Sequence, residues 1–226
     1  MKKIFLTSLI IICIGAICVC SAFISEGLYE YESENAYYKD VAKKSYENTR
    51  IDFDSLRAKN SDIVGWITIP GTRIDYPIVK GSDNDQYLHT LFSGKEGDSG
   101  CLFTDYRSEP FRSSLTIVYG HRMKDGSMFS NLGFYRKRGF ADKHQSISIY
   151  TPDKSYKLKI LLFATIGANN NVYNEYFTSA MNVYDLLKKH AQYTYDKPKN
   201  NDKLVMLSTC AYEFKNARYV LLGKLQ

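Results

Sequence analysis

Residues 4–24, IFLTSLIIICIGAICVCSAFI, run for 21 positions without a single charge. About 20 apolar residues in helical form cross the hydrocarbon core of a bilayer, whereas the apolar part of a signal peptide spans only about 7–15. The surface of a soluble domain offers no place for such a run, so the chain divides into an apolar leader and a remainder that must fold by itself. Lys2 and Lys3 precede the run and Glu26, Glu30 and Glu32 follow it, and an excess of basic residues marks the cytoplasmic side of a span. The expectation is an uncleaved signal-anchor over residues 1–25: a single pass through the cell membrane, N-terminus in the cytoplasm, the rest of the chain extracellular. Small residues at Cys20, Ser21 and Ala22 leave a cleaved signal as the alternative.

Cysteine usage narrows what the remainder can be. Of five cysteines, Cys13, Cys18 and Cys20 lie in the apolar run, which leaves Cys101 and Cys210. At most one disulfide can form, which excludes a small disulfide-stapled scaffold. Two cysteines without a Cys-x-x-Cys pair are too few for a structural zinc site, so neither a metal nor another cofactor is expected. The net charge of +6 falls to +4 beyond the leader and is scattered among 24 acids. That pattern lacks the basic stripe of a nucleic-acid binder, and no nucleic-acid partner is expected.

Residues 26–60 are polar, with sparse apolar positions at Leu28, Tyr38, Val41, Phe53 and Leu56. They read as one or two amphipathic helices linking the leader to a domain over residues 61–226. From residue 62 the texture changes to period two. DIVGWITIPGTRIDYPIV alternates β-branched and aromatic residues around the turn dipeptide Pro70-Gly71 and reads as two strands. Further strands are expected at 100–105, 114–120, 146–152, 156–168, 203–210 and 217–225, and helices at 84–92 and 178–195. The second helix carries Ala180, Val183, Tyr184, Leu187 and Ala191 on one face, with Thr178 as its cap. Seven or eight short strands with few helices between them point to a mainly β protein, an antiparallel or mixed barrel, and argue against a parallel doubly wound sheet.

Three residues could do chemistry. The strand LVMLSTC stops at Cys210, and the next apolar strand opens at Arg218, so the two side chains share one rim of a sheet. A thiol at the polar edge of an apolar strand is either a buried structural residue or a nucleophile. Among four histidines, His89 falls in the helix expected at 84–92 and reads as packing, while His144 and His190 read as surface residues. His121 follows the strand LTIVY and a glycine, an arrangement that aims an imidazole into a site, although a solvated loop histidine fits the same pattern. Arg218 lies eight positions after Cys210, across a strand, turn and strand. A guanidinium reaching back could donate to an oxyanion on an attacked carbonyl; otherwise it is a surface charge. Cys210, His121 and Arg218 on three strand ends would make a consistent acyl-transfer site.

Four stretches together resemble the sortases, membrane-anchored cysteine transpeptidases of Gram-positive bacteria, and most of all class B. They are NSDIVGWITIPGTRIDYPIVKGSDNDQYL, GCLFTDYR, TIVYGHRMKDGSMFSNL and LSTCAYEFKNAR, and the match runs from about Phe53 onward. The resemblance implies an eight-stranded β-barrel with N-terminal helices and one additional helix before the cysteine strand. It implies Cys210 as nucleophile, His121 as general acid and base, and Arg218 as stabiliser of the oxyanion or substrate. Ser208, Thr209 and Tyr176 would line the substrate groove, with 169–178 as the loop that wraps the peptide. The implied partners are secreted proteins bearing a C-terminal sorting signal, and an amine of peptidoglycan or of its lipid-linked precursor. One departure is visible: some class B members have an acid just after the cysteine, whereas here Ala211 and Tyr212 precede the first acid, Glu213. Two rivals remain open: a hydrolase of the same fold, and a non-catalytic membrane-tethered scaffold in which Cys210 is structural, which a Cys101–Cys210 disulfide would support.

Overall fold

The computed structural model describes residues 2–47, 50–174, 177 and 179–226. The chain divides into two units, Met1–Asp40 and Val41–Gln226. Helix α1 (Lys2–Ser45) contains, among the described residues, the one helix long and apolar enough to cross a membrane, with a mean hydropathy of 2.2. From Ile10 to Tyr29 its large apolar side chains are exposed, Ile12 and Ile17 each at 67%, which is compatible with a membrane-spanning helix.

In the second unit a short hairpin of β1 (Tyr46–Glu47) and β2 (Arg50–Ile51) precedes helix α2 (Phe53–Lys59), whose N-terminus is capped by Asp52 accepting from Ser55 N at 3.0 Å. There follow β3 (Ile63–Thr68), β4 (Asp75–Val79), β5 (Leu102–Thr104), β6 (Leu115–Tyr119), α3 (Arg138–Lys143), β7 (Ser146–Tyr150) and β8 (Ser155–Gly167). Helix α4 (Ala180–Lys188), β9 (Ala191–Thr194), β10 (Leu204–Cys210) and β11 (Ala217–Leu225) complete the order. Eight strands in the order β11-β10-β6-β5-β4-β3-β7-β8 close into a barrel because β11 also pairs with β8. Closure gives each of the eight a paired neighbour on both sides. The expected mainly β barrel of eight strands is what forms.

Strand β10 is central: it runs parallel to β6 and antiparallel to β11. Leu204 through Thr209 are all buried, which is why the strand reads as a continuous apolar run and not as alternation. Leu204 and Met206 face the layer made by α4, together with Leu115, Ile117, Val220 and Leu222. The helix contributes Ala180, Val183, Tyr184 and Leu187, all at 0–1% exposure, and burying each large apolar side chain is worth roughly 1.5–3 kcal/mol.

Two expectations need correction. Residues 84–92 are not a helix but a series of turns: Asp83 Oδ1 accepts from Asp85 N and Gln86 N, at 2.9 and 2.8 Å. An acidic side chain that closes on its own backbone competes with helix hydrogen bonding. The helix expected at 178–195 stops at Lys188, and Ala191–Thr194 is instead strand β9 on the outer half of β8. Its cap is Ser179, accepting from Met181 N at 3.2 Å; Thr178 lies outside the described residues.

Candidate active site

The three sequence-selected residues arrive at one cleft from three strands. In the β10–β11 ladder Cys210 is directly opposite Arg218, so both side chains leave the same face of the sheet, with Cβ atoms about 5 Å apart. In the parallel β6–β10 ladder Tyr119 pairs with Ser208, and Gly120 N donates to Ser208 O at 3.2 Å. Carrying that register on by two residues brings His121 level with Cys210. Cys210, His121 and Arg218 all line a cleft of about 430 Å³, with Leu88, Tyr119, Tyr173 and Ser208. Gly120 is required where it stands: a Cβ there would lie 2.3 Å from Leu102 Cδ2 and 2.7 Å from Phe129 Cδ2.

His121 is held through Nε2, 2.8 Å from the backbone carbonyl of Leu88. A carbonyl only accepts, so Nε2 carries the proton, and in the neutral ring Nδ1 is left to exchange a proton with the cleft. Gly100 makes this possible. Its φ is +52°, and a Cβ would fall 2.4 Å from that same Leu88 oxygen. His89, expected to pack in a helix, sits instead in the turns with its ring 5.7 Å from the His121 ring. His144 is half-buried and stacks on Phe140 at 4.0 Å, whereas His190 is exposed.

Arg218 donates from Nη1 to Ala217 O at 3.0 Å and makes no ion pair among the described residues. Its remaining donors are free to meet an oxyanion. Neither Cys210 nor Cys101 is in a disulfide; Cys101 is buried and Cys210 half-buried. The disulfide that would mark a structural Cys210 is absent. Ser208 is buried and shares a 2.8 Å hydrogen bond with the Tyr173 hydroxyl. Strand alternation turns Thr209 to the opposite face from Cys210, and its buried Oγ1 has no hydrogen-bond partner. Tyr176, named as a groove residue, lies outside the described residues.

A polar hub that no local pattern announces forms one wall. The buried carboxylate of Asp105 accepts from Arg107 N, Nε and Nη2 at 3.0, 2.8 and 2.7 Å, from Asn84 Nδ2 at 3.2 Å and from the Tyr119 hydroxyl at 3.1 Å. Arg107 Nη2 also donates to Tyr173 O at 2.5 Å. Burial pushes the Asp105 carboxyl up, but the Arg107 and Asn84 donors outweigh it and hold the group below its ordinary range. Burial pushes the Tyr173 hydroxyl up to about 12, although Ser208 and the charge of Arg218 pull the other way, so it is a neutral hydrogen-bonding wall. Tyr119, buried beside the Asp105 charge, is driven up further. Glu213 is not in the cleft. It accepts from the Tyr219 hydroxyl and pairs with Arg136 at 3.4 Å. Burial raises it, but these partners win and leave it below the ordinary carboxylate range.

A thiol, an imidazole and a guanidinium on one rim of a closed barrel are the equipment of cysteine-dependent acyl transfer. The sortase-domain family model matches residues 67–226. The chain is 35% identical to sortase B of Listeria monocytogenes, over 86% of this chain and 82% of that one. It is 30% identical to sortase B of Staphylococcus aureus, over 86% and 83%. The solved Staphylococcus aureus sortase B–substrate complex superimposes with a TM-score of 0.77 at 30% identity, over 88% of this chain and 98% of that one. The chain belongs to the sortase family of cysteine transpeptidases and is most like class B.

Proposed function

We propose that this chain cleaves a C-terminal sorting signal in secreted proteins through Cys210 and joins the new carboxyl end to an amine of peptidoglycan or its lipid-linked precursor. The Cys210 sulfur attacks the scissile carbonyl carbon. A C–S bond forms while the thiol proton passes to His121, and when the C–N bond then breaks His121 gives that proton to the leaving nitrogen. Arg218 donates to the oxyanion that develops between those events. An acceptor amine then attacks the thioester, a C–N bond forms, the C–S bond breaks, and one amine proton returns by way of His121 to the sulfur. Ser208 by its side chain and Thr209 by its backbone flank the donor peptide, and the apolar part of α1 anchors the chain in the cell membrane with its N-terminus inside. The observation that carries this reading is the register that sets Cys210 opposite Arg218 with His121 level beside them in one cleft.

The test uses the full chain in detergent micelles, a panel of quenched-fluorophore sorting-signal peptides, and amine present or absent. Cleavage of one motif by the wild type, with an amine-dependent product and none from Cys210→Ala, is the expected result. Cleavage without any amine dependence would instead assign a hydrolase. Equal rates in wild type and Cys210→Ala would remove the nucleophile.

A further inference from the structure

The two short loops that leave the catalytic strands do not end at the donor cleft. The residue after His121 is Arg122, and Tyr212 lies two positions beyond Cys210; both line a second, open cleft of about 640 Å³. This cleft gathers Arg73, Arg122 and Lys124 against a single acid, Asp125. That acid accepts at Oδ1 from Ser127 N at 2.9 Å and Ser127 Oγ at 2.6 Å, and one carboxylate leaves the cations in excess. Arg122 stacks over the rings of Tyr212 at 4.7 Å and Tyr219 at 5.2 Å and makes no ion pair among the described residues. Lys124 is exposed, and no partner for it exists among the described residues. Stacking on aromatic faces fixes the plane of a guanidinium while leaving its edge free, the geometry that receives a carboxylate with two parallel hydrogen bonds.

The cleft is also built ahead of any ligand. Arg73 N donates to Asn131 Oδ1 at 2.8 Å, Arg73 Nη1 to Asp125 O at 2.9 Å, and Ser130 Oγ to Met123 O at 2.6 Å. Phe129 N closes the loop onto His121 O at 2.9 Å. The apolar wall is Tyr212, 72% exposed, and Phe134, 47% exposed. Large aromatic rings left in water beside unpaired cations mark a binding surface.

Resting on the transpeptidase reading, we propose that this second cleft is the acceptor subsite, and that it selects amines carrying a carboxylate on the same molecule. Arg122 and Lys124 take the carboxylate, Tyr212 and Phe134 cover the aliphatic part, and the amine end reaches past His121 to the thioester on Cys210. The amine nitrogen bonds to the acyl carbon, the C–S bond breaks, and the amine proton ends on the Cys210 sulfur, so the acceptor itself needs no further reactant.

The probes are triglycine and triglycinamide, which share a primary amine and differ in one carboxylate. With full-length protein in detergent and a cleavable donor peptide, transfer products are quantified by mass spectrometry across acceptor concentration. Wild type is expected to use triglycine with about three- to tenfold higher kcat/KM, the range that a few exposed charge pairs supply. The difference should sit in acceptor KM and shrink as salt is raised. In Arg122→Gln/Lys124→Gln the ratio of the two acceptors should fall to about one, and donor cleavage without acceptor shows that the variant is folded. Equal use of both probes by wild type, or a preference that survives in the double variant, would overturn the proposal while leaving the transpeptidase standing. Failure of wild type to transfer to either probe while it still cleaves the donor would overturn both.

Discussion

Replacing Asp105 by Asn perturbs the wall of the donor cleft without changing its shape. In the wild type one carboxylate accepts five hydrogen bonds, three of them from Arg107. The amide keeps one acceptor oxygen and turns an N–H₂ toward donors on the other side. Breaking a buried charge pair by removing one partner costs about 3–5 kcal/mol. The Asp105 side chain is 4% exposed but that of Arg107 is 29% exposed, so water can take over part of the arginine and the expected loss is nearer about 2–3 kcal/mol. The only tryptophan, Trp66, is fully buried in β3, so its fluorescence follows the barrel through a urea titration. With a slope of about 1–3 kcal/mol per molar, the midpoint should fall by roughly 1 M or more near neutral pH. The sign of the pH dependence is fixed by the held-down carboxyl. Its stabilisation is complete above the unfolded-state value of about 4 and is lost as pH falls toward the lower folded value. The gap between wild type and variant should therefore be constant from about pH 5 upward and narrow below about pH 4. Because Arg107 also ties down Tyr173 O, the variant should show a raised KM for the donor peptide. An unchanged midpoint near neutrality, or a gap that widens on acidification, would refute the assignment of this hub.

Other substitutions probe single contacts. Gly100→Ala places a Cβ against the Leu88 oxygen that holds His121; kcat for donor cleavage should fall by about tenfold or more, the effect of mis-setting one proton-transfer group. Tyr173→Phe removes the bond to Ser208 and should weaken donor binding or barrel stability by about 0.5–1.5 kcal/mol, read from KM and the urea midpoint. Arg218→Gln should lower kcat by about 10²–10³ with a smaller change in donor KM, if its donors meet the oxyanion and not the ground state. Glu213→Gln should leave donor cleavage near wild type at neutral pH, because that carboxylate is engaged with Tyr219 and Arg136 outside the cleft; a large loss of kcat would return it to the site.

The barrel was legible in the sequence wherever a strand buries one face, as alternation, or both, as an apolar run. The alternation at 62–79 and the apolar runs at 114–120 and 203–210 are the direct print of β3, β4, β6 and β10. Cys210, His121 and Arg218 were legible because each sits at a strand end, where a polar residue interrupts an apolar run. Local pattern failed where long-range partners decide. Asn84 to Phe92 has helical composition, yet Leu88 must present its carbonyl to His121, and Cys101 N bonds to Tyr87 O at 3.0 Å. Ala191 to Thr194 continues a helical face but pairs with β8 at Leu162 to Ala164, beyond the part of that strand that β7 covers. Asp105, Arg107, Tyr119 and Tyr173 come from three separate segments, and no spacing rule unites them. The -Asp-Tyr-Arg- triplet at 105–107 carried the only hint, a carboxylate and a guanidinium two residues apart after a strand.

The central claim is that a thioester forms on Cys210, and the most direct measurement is to trap it. Full-length protein is mixed with an intact, cleavable donor peptide, quenched in acid within the first turnovers, digested and mapped by mass spectrometry. The expected result is the acyl mass of the donor fragment on the peptide containing Cys210, none on Cys101, and disappearance of the adduct when amine is added before the quench. An adduct elsewhere, or cleavage by wild type with no adduct and undiminished cleavage by Cys210→Ala, would contradict it.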